Sequence, residues 1–364
     1  MKKPRVVIVH DWLIGGGAER VTYELHKLYP DAPIYTSYCS DEWRKRLGNK
    51  VVTGYLQHWP FSVLRKFLAV LRILWFTHLD FSGYDVVISV SGNGEAFGVK
   101  TPKNTLHVNY CHTPTHYYWR KYNEYLKNPG VGVLNPVARL GLRLFVGPLR
   151  RWDYKAAQRA DVVIANSNHI KADIKKYYGR ESVVIHPPVD IERFTVREPK
   201  QRHGFITAGR QTPYKRTDLI VKACSNLNLP LTVIGNGPEH KQLVEIAGPS
   251  VHFLTKVTDD EMPHRLAEAE AFLFAAFEDF GIVPVEALAA GTPVIAFKAG
   301  GALDYVKQGQ TGEFFDQQTT TSLEKAIHAF EAKKFEPEIM RKAAAEFSPK
   351  IFRQKMDELI KKSL

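Results

Sequence analysis

The sequence predicts an α/β protein with two domains, each a parallel β-sheet flanked by helices. Its length of 364 residues exceeds the size at which a single hydrophobic core usually stops growing, so two domains are expected. Short apolar runs typical of buried strands alternate with helical patterns in both halves of the chain. Hydrophobic residues make up 44% of the chain and charged residues 24%, which is typical of a globular protein.

A polar stretch with two prolines in the middle of the chain predicts the domain boundary. Pro187 and Pro188 follow an apolar run, and charged residues continue to Arg202. The stretch is therefore interpreted as a stiff crossover. We predict a first domain over residues 1–185, a linker over 186–202 and a second domain over 203–345.

Charge and cysteine content restrict the class of protein. Cys39, Cys111 and Cys224 are odd in number and lack the spacing of metal ligands, which favours a reducing cytoplasm over a disulfide framework. No uncharged apolar run is long enough to span a membrane, and the short run after Pro4 is predicted to be a strand instead of a signal peptide. The net charge of +12 indicates attraction to polyanions, with nucleic acid, anionic lipid and phosphorylated substrates all open at this point.

The first strand, predicted over residues 6–9, leads into a loop with three consecutive glycines. Gly15, Gly16 and Gly17 separate this strand from a helix predicted over 21–28, and glycines at such a point let the backbone approach a ligand closely. The loop lacks the Gly-x-Gly-x-x-Gly spacing, and no acidic residue ends a second strand about 20 residues later. This pattern argues against a rival interpretation, an oxidoreductase that binds NAD.

Further strands in the first half supply a candidate histidine. These strands are predicted at residues 84–90, 106–112 and 160–167, the last being the final strand of the first domain. Either Ser167 or Asn168 caps the helix that follows. His112 lies at the carboxyl tip of the second of these strands, where ligands bind in open α/β sheets. Pro114 excludes a regular helix that would bring His112 and His116 together as metal ligands.

Two segments of the first half mix basic with aromatic and aliphatic residues at helical spacing. In the first, over residues 61–76, Arg65, Lys66 and Arg72 fall within one polar sector. The second covers residues 137–152. Basic amphipathic helices of this kind lie in anionic membrane interfaces. A core helix with a charged outer stripe explains the same pattern.

A basic loop follows the first strand of the second half. The strand is predicted over 204–209, with Arg210 at its end and Lys215 just before a helix at about 219–223. An arginine binds two phosphate oxygens in a fork, and a lysine beside it adds a point charge. Arg210 and Lys215 are therefore predicted to form a pyrophosphate clamp, whereas Arg216 is equally consistent with a position facing solvent.

Residues 271–295 are predicted to form a strand, a loop, a helix and a second strand. Gly281 breaks the first strand, and Pro284 suits the first helical turn. Glu278 lies in the loop, and Glu286 lies about two helical turns further on. Between them the helix start offers free N–H groups and a positive dipole end to a phosphate. Two carboxylates for hydroxyl groups, with a phosphate site between them, match the layout of a sugar nucleotide.

These motifs resemble those of retaining glycosyltransferases with the GT-B fold, in the large glycosyltransferase family 4, also called glycosyl transferases group 1. The resemblance is carried by the two glutamates of the 271–295 unit, by the Arg210 and Lys215 pair, and by the segment 110–114. It implies two Rossmann-like domains whose parallel sheets face each other across a cleft. It also implies that the C-terminal helix, about 346–364, packs back on the first domain.

The resemblance further implies roles for single residues. Glu278 orients the donor sugar, Arg210 and Lys215 bind its phosphates, and His112 contacts the transferred sugar, so these four are the implied catalytic residues. The other implied donor-binding residues are Gly16, Phe280, Gly281, Ile282 and Glu286. The implied acceptor side consists of Asp11, Gly15 and Gly16.

The resulting prediction is an enzyme that moves a hexose from a nucleotide diphosphate sugar to a hydroxyl group of a glycan or a polyprenyl-linked acceptor, with retention of configuration. GDP-mannose is the first choice of donor because residues 214–216 and 278–281 resemble those of GDP-mannose users, and a UDP-sugar is the second. No Asp-x-Asp sequence occurs, so neither a divalent metal nor another cofactor is expected.

Partners and location follow from the same prediction. Nucleic acid is not an expected partner, and the enzyme is expected in the cytoplasm, with segments 61–76 and 137–152 as its contact with an anionic membrane surface at the inner face. The alternative from a different class is a basic protein that binds the membrane surface without catalysis.

Overall fold

The computed structural model describes residues 4–64, 68–92, 95–127, 129, 132 and 135–364. The chain divides into two compact units, one of Met1–Pro187 with Phe352–Leu364 and the other of Pro188–Ile351. Each unit is built on one parallel sheet, so the predicted class of two helix-flanked parallel sheets is confirmed.

The first unit contains a seven-stranded sheet in the order β3-β2-β1-β4-β5-β6-β7, with all strands parallel. Its strands are β1 Val6–His10, β2 Ile34–Thr36, β3 Val51–Thr53, β4 Val86–Ser91, β5 Leu106–Cys111, β6 Val162–Ala165 and β7 Val183–Val184. Its first seven helices are α1 Gly17–Leu28, α2 Asp41–Leu47, α3 Phe61–Leu64, α4 Ala69–Thr77, α5 Tyr122–Lys127, α6 Asn135–Ala157 and α7 Asn168–Tyr178. Every residue of the central strands β1 and β4 is buried, which explains why they read as continuous apolar runs.

The second unit contains a six-stranded parallel sheet in the order β10-β9-β8-β11-β12-β13. Its strands are β8 Phe205–Ala208, β9 Leu231–Ile234, β10 Val251–Leu254, β11 Ala271–Phe274, β12 Val294–Phe297 and β13 Gly312–Phe315. Its helices are α8 Ile191–Phe194, α9 Thr217–Asn226, α10 His240–Glu245, α11 Glu261–Ala267, α12 Ile282–Ala289, α13 Ala302–Tyr305, α14 Thr320–Ala329 and α15 Pro337–Ala345. Alternate residues of β11 enter different hydrophobic clusters, since Phe272 and Phe274 pack in one and Ala271 and Leu273 in the other.

The last helix, α16 Pro349–Ser363, carries a stripe of apolar residues into the core of the first unit. Phe352, Met356 and Ile360 are buried there at intervals of one helical turn. Arg353 on the same helix forms an ion pair with the buried Glu24 of α1. Residues 352–364 are therefore a structural part of the first unit.

Two predictions near the boundary between the units were wrong. Residues 160–167 do not contain the final strand of the first sheet, because Val183 and Val184 pair with β6 as a seventh strand. Their ladder is short because prolines at 187 and 188 have no N–H group to continue it. Part of the predicted linker belongs to the second unit, where Val189 and Phe194 are buried in the core.

The alternatives for the start of α7 are decided by a hydrogen bond. Ser167 is the N-cap residue, and its Oγ accepts from the backbone N–H of Ile170 at 3.2 Å. This bond satisfies one of the donors that a helix start leaves without a partner.

The described residues of the segment predicted as one basic amphipathic helix include α3 and α4, and Arg72 on α4 is buried. Arg72 is 1% exposed, and its Nε and Nη2 donate to the carboxylate of Glu95 at 2.6 and 3.0 Å. The prediction that Arg72 lies in a polar sector facing solvent was therefore wrong, because a buried carboxylate holds its charge inside the first unit. Arg65 and Lys66 of the same prediction lie outside the described residues.

Apolar side chains are exposed on both segments that were compared with membrane-binding helices. On α3 and α4 the exposed apolar residues include Val63, Val70 and Leu74. On α6 they are Val137, Leu140, Leu144 and Phe145. The first residue of α6 that is buried is Asp153, so the amino-terminal half of this helix lies on the surface. Within the part of the chain that the structure describes, no helix is long and apolar enough to span a bilayer.

The carboxylate of Asp153 fixes the buried end of α6. It accepts hydrogen bonds from Thr115 Oγ1 at 2.7 Å, Trp119 Nε1 at 2.6 Å and Tyr178 Oη at 2.8 Å. Burial raises the pKa of Asp153 to about 6, although the three donors oppose this shift. The network joins the loop after β5 to both α6 and α7.

The Asp153→Asn variant and the unsubstituted chain are expected to differ less in free energy of unfolding as the pH rises. The carboxyl group has a pKa of about 6 in the folded chain against an ordinary 3.8, so between these values the folded chain binds more protons than the unfolded chain. The unsubstituted chain therefore loses about 2 kcal/mol of unfolding free energy between about pH 4.5 and pH 7. Asparagine does not titrate, so its lost hydrogen bond costs the same at both values. Urea unfolding of both chains at the two pH values measures the difference, and a difference that widens with pH would contradict the assignment.

Candidate functional site

A pocket opens at the carboxyl ends of the central strands of the second sheet. Strand β8 lies between β9 and β11, where the strand order reverses, and this is the position at which open α/β sheets bind ligands. The residues that line the pocket include Gly209, Arg210, Gln211, Lys215, Phe274 and Ala276.

The loop that carries Arg210 is held by close backbone packing. A Cβ atom on Gly235 would lie 2.1 Å from the carbonyl oxygen of Gly209, and one on Gly237 would lie 2.3 Å from that of Gln211. The buried Gln211 donates from Nε2 to the carbonyl oxygen of Gly235 at 2.9 Å. Only glycine therefore fits at 235 and 237, and the loop presents the exposed side chain of Arg210 from a fixed backbone.

Lys215 and Glu278, both predicted site residues, form an ion pair with each other. Lys215 Nζ donates to Glu278 Oε1, and the two side chains are 20% and 18% exposed. The neighbouring Arg216 is turned to Asp218, with Nε 3.0 Å from Oδ1. The sequence left open whether Arg216 belongs to the phosphate clamp or faces solvent. In this structure Arg216 is held in a local ion pair and does not join the clamp.

Helix α12 begins directly after the loop that contains Glu278, and its start has no side-chain cap. Its N-cap residue, Gly281, has a φ of +91°, which few residues other than glycine adopt. A Cβ atom there would lie 2.8 Å from Tyr305 Oη and 3.0 Å from Phe274 Cζ. Gly281 has no side chain to cap the first turn, and among the residues that the structure describes no side chain accepts from the N–H groups of Ile282 and Val283, so the helix start can accept an anion.

A second glycine pair supports the backbone around Glu278. The N–H of Gly301 donates to the carbonyl oxygen of Glu278 at 2.9 Å. A Cβ atom on Gly300 would lie 2.4 Å from that same oxygen, and one on Gly301 would lie 2.3 Å from Phe280 Cα. The loop before α13 thus positions the Glu278 segment, a role that the sequence gave no reason to assign.

Two predicted donor contacts are covered by protein. The ring of Phe280 is buried against Tyr305 and Phe347, with ring centroids 5.5 and 5.6 Å apart. Only the backbone of Phe280 is therefore available for a donor contact. Glu286 is 4% exposed in the second turn of α12, and it is not one of the described residues that line the pocket beside Arg210.

Tyr305 brings a phenol group close to the Glu278 loop. Burial raises the pKa of its hydroxyl well above the ordinary value, and the charge of Glu278 adds to this shift. The phenol therefore stays protonated throughout the neutral pH range. Among the described side chains, none forms a hydrogen bond with this hydroxyl.

In the first unit, Asp11 holds the loop that follows β4. Its Oδ2 accepts from the N–H of Gly92 at 3.0 Å and its Oδ1 from the N–H of Ala96 at 2.8 Å. A Cβ atom on Gly92 would lie 2.9 Å from the Cβ of His112. Asp11 is buried. The sequence predicts it on the acceptor side, and in the structure its carboxylate holds the loop against which His112 packs.

The glycine loop after β1 is organised by Glu19, which the sequence reasoning did not single out. The Oε1 atom of this buried carboxylate accepts from the N–H groups of Ile14 at 3.2 Å and Gly15 at 2.9 Å. A Cβ atom on Gly16 would lie 3.2 Å from Glu19 Oε2. The loop amides that were expected near the substrate therefore bind a carboxylate of the protein itself. An acidic residue in the first turn of a helix was the available signal.

His112 lies directly after strand β5, as the sequence predicts. Its N–H donates to the carbonyl oxygen of Ser91 at 2.7 Å, and its ring packs 5.1 Å from that of Tyr110. In the ranges that the structure covers, no group of three or more His, Cys, Asp or Glu side chains could hold a metal ion.

Comparison with known families decides what this arrangement belongs to. The model of Glycosyltransferase Family 4 matches residues 15–193, and the model of Glycosyl transferases group 1 matches residues 188–347. The chain belongs to glycosyltransferase family 4. The resemblance inferred from the sequence motifs is thereby confirmed.

Curated relatives of this family 4 chain include two mannosyltransferases. The GDP-mannose-dependent alpha-(1-6)-phosphatidylinositol monomannoside mannosyltransferase of Mycolicibacterium smegmatis is 27% identical over 53% of this chain and 56% of its own length. The alpha-1,3/1,6-mannosyltransferase ALG2 of Saccharomyces cerevisiae is 23% identical over 85% of this chain and 73% of its own. The chain spans about half the length of the first curated relatives that it matches.

A solved structure shows the same fold over the whole chain. HepE of Anabaena, in complex with UDP and glucose, matches 99% of this family 4 chain and 100% of its own, with a TM-score of 0.70 and 19% identity. The predicted GT-B class of two Rossmann-like domains is confirmed by the two parallel sheets and this neighbour.

Proposed function

We propose that this chain is a retaining glycosyltransferase that moves a hexose from a nucleotide diphosphate sugar to an acceptor hydroxyl group. The observation that carries the proposal is that Arg210 and Lys215 line one pocket, that Lys215 is paired with Glu278, and that the uncapped start of α12 follows Glu278 closely in the chain. The first two supply cations for a diphosphate, and the helix start supplies N–H donors for it. Glu278 supplies an acceptor for sugar hydroxyl groups. A sugar nucleotide can use all three features.

The chemistry assigned to these residues is stabilisation of the leaving group. The bond between the anomeric carbon and the phosphate oxygen breaks, and the anomeric carbon bonds to the acceptor oxygen. Negative charge grows on the departing diphosphate, where Arg210, Lys215 and the dipole of α12 stabilise it. These groups take the part that a divalent cation plays in other transferases, and we propose that no metal is required.

Retention of configuration is proposed from the side chains available. The departing phosphate takes the acceptor proton on the same face of the sugar, so no covalent intermediate with the protein is needed. Glu278 then orients the sugar instead of attacking it. His112, at the tip of β5, is proposed to contact the transferred sugar.

GDP-mannose is the proposed donor, and a lipid-linked or glycan hydroxyl group is the proposed acceptor. The support is that the mycobacterial relative is named as GDP-mannose-dependent and as acting on a phosphatidylinositol mannoside, and that the yeast relative is named as a mannosyltransferase. A UDP-sugar is the second candidate donor.

Thermal unfolding with a panel of nucleotide sugars tests the proposal. The full chain is heated with GDP-mannose, GDP-glucose, UDP-glucose, UDP-N-acetylglucosamine or ADP-glucose. A ligand that binds only the folded chain raises its stability by about 2.7 kcal/mol at a concentration of 100 times Kd. GDP-mannose is expected to raise the Tm most, and the Lys215→Ala variant is expected to lose the shift. If no nucleotide sugar raises the Tm, the proposed function is wrong.

Attachment to an anionic membrane is proposed for the first unit. The exposed apolar residues Leu140 and Leu144 lie on one face of α6, and the exposed Arg143 and Arg151 lie on the same helix. Apolar side chains beside arginines suit the boundary between headgroups and acyl chains. Such attachment would bring the enzyme to a lipid-linked acceptor at the inner face of a membrane.

The double variant Leu140→Glu, Leu144→Glu is expected to lose most of its flotation with anionic vesicles. Two carboxylates repel the anionic surface and remove apolar area from the interface. The measurement is the fraction of protein that floats with vesicles containing phosphatidylglycerol. Val244→Glu, a change at an exposed apolar position of α10, is the matched control and should float like the unsubstituted chain. Equal flotation of the double variant would show that α6 is not the contact.

A further inference from the structure

The ion pair between Lys215 and Glu278 joins two groups with different partners in the proposed reaction, on which this inference rests. Lys215 is assigned to the diphosphate and Glu278 to the sugar. In the structure each of them is the other's partner, and only about a fifth of either side chain is exposed. A diphosphate that takes Lys215 must therefore displace the carboxylate of Glu278.

We infer that Glu278 competes with the diphosphate for Lys215, and that this competition makes the site prefer the nucleotide sugar to the free nucleoside diphosphate. A nucleotide sugar separates the pair but gives each member a new partner, phosphate oxygens for Lys215 and hydroxyl groups for Glu278. A free nucleoside diphosphate provides for Lys215 alone. It leaves a mostly covered carboxylate without a cation and close to a second anion, which is unfavourable.

The other charged groups of the loop do not share this arrangement. Arg210 is exposed and forms no ion pair with the residues that the structure describes, so a phosphate can bind it without displacing a carboxylate. Arg216 is paired with Asp218, two residues further on in the first turn of α9, and neither is assigned to the sugar. Among these residues, Lys215 is therefore the one through which a sugar bound to Glu278 changes the affinity for the diphosphate.

The consequence concerns the step after transfer. Once the hexose has left, Glu278 loses its hydroxyl partners while the diphosphate still occupies Lys215. Recapture of Lys215 by Glu278 then weakens the hold on the nucleoside diphosphate and favours its release. Because product release limits the rate of many enzymes, the pair is expected to reduce inhibition by the nucleoside diphosphate product.

Isothermal titration of the full chain with GDP and with GDP-mannose tests the inference. Glu278→Gln keeps the shape of the side chain and removes its charge, and it is expected to bind GDP about tenfold more tightly without binding GDP-mannose more tightly. Asp218→Asn is the matched control, because it removes the same charge from a neighbouring ion pair. It should change the affinities for GDP and GDP-mannose by similar factors, so their ratio stays within about twofold of the unsubstituted value.

Different outcomes separate this inference from the proposed function. If the unsubstituted chain binds both nucleotides and Glu278→Gln leaves the ratio of the two Kd values unchanged, the inference is overturned and the proposed function stands. If no nucleoside diphosphate of guanosine, uridine or adenosine binds, and none of their nucleotide sugars binds, the inference and the proposed function are both overturned. If UDP or ADP and its nucleotide sugar bind instead, these two ligands replace GDP and GDP-mannose in the comparison. Glu278→Asp provides a second variant, since its shorter side chain reaches Lys215 less well, and it should shift the ratio in the same direction by a smaller factor.

Discussion

Replacing Lys215 with alanine is expected to lower kcat/KM for glycosyl transfer by about 10²- to 10³-fold, the usual cost of removing one group that stabilises charge in the transition state. Lys215 is only partly exposed and lies at the pocket beside Arg210, so water replaces its charge poorly. The loss should be largest in kcat, because the charge on the departing phosphate grows as the bond breaks. Initial rates with the nucleotide sugar that gives the largest rise in Tm provide the measurement.

The neighbouring basic residue provides the control for this experiment. Arg216 has the same formal charge but is paired with Asp218, so Arg216→Gln should change kcat/KM by less than about fivefold. Equal losses for the two variants would indicate that the positive potential of the whole loop matters and that Lys215 has no specific role. Full activity of Lys215→Ala would remove this residue from the mechanism.

Replacing Arg72 with alanine is expected to lower the free energy of unfolding of the first unit by about 3 to 5 kcal/mol. The guanidinium is 1% exposed and donates two hydrogen bonds to the carboxylate of Glu95, which is also 1% exposed. Its removal leaves the buried carboxyl group of Glu95 without its hydrogen-bonding cation, and it also removes the packing of the guanidinium over the Trp12 ring at 5.2 Å. Both interactions exist only in the folded state, so their loss lowers the free energy of unfolding.

Urea unfolding followed by far-ultraviolet circular dichroism measures this effect. Arg5 forms an ion pair with Asp85 at 3.4 Å, with the two side chains 62% and 45% exposed, so Arg5→Ala is the matched surface control and should cost less than about 1 kcal/mol. The double variant Arg72→Met, Glu95→Leu should recover most of the loss, because it leaves no buried charge unpaired. A cost for Arg72→Ala as small as that for Arg5→Ala would contradict the buried pair.

The sheets and the grouping of Arg210, Lys215 and Glu278 could be predicted because both follow from local pattern. Strands buried on both faces read as apolar runs, and residues just after them lie at the carboxyl edge of a parallel sheet. Arg210, Lys215 and Glu278 each follow such a run, so one rule brought them to the same edge. The two-residue strand β7 was not predicted, because so short a strand shows neither the alternation nor the length by which strands are recognised in a sequence.

The contacts that the sequence did not reveal involve charged residues whose partners are distant in sequence or belong to the backbone. Helical spacing placed Arg72 on a polar sector, but its partner Glu95 lies 23 residues further on, and no local pattern connects them. Asp11 and Glu19 bind loop N–H groups, which carry no signature in the side-chain sequence. The acceptor-side role of Asp11 stays a prediction, and the structure adds that its carboxylate holds the loop after β4.

A crystal structure of the protein with GDP-mannose tests the central claim most directly. The account predicts that the diphosphate lies within hydrogen-bonding distance of Arg210, of Lys215 and of the first-turn N–H groups of α12, with Glu278 moved from Lys215 to the sugar hydroxyl groups. A diphosphate bound elsewhere, with Lys215 and Glu278 still joined, would contradict it.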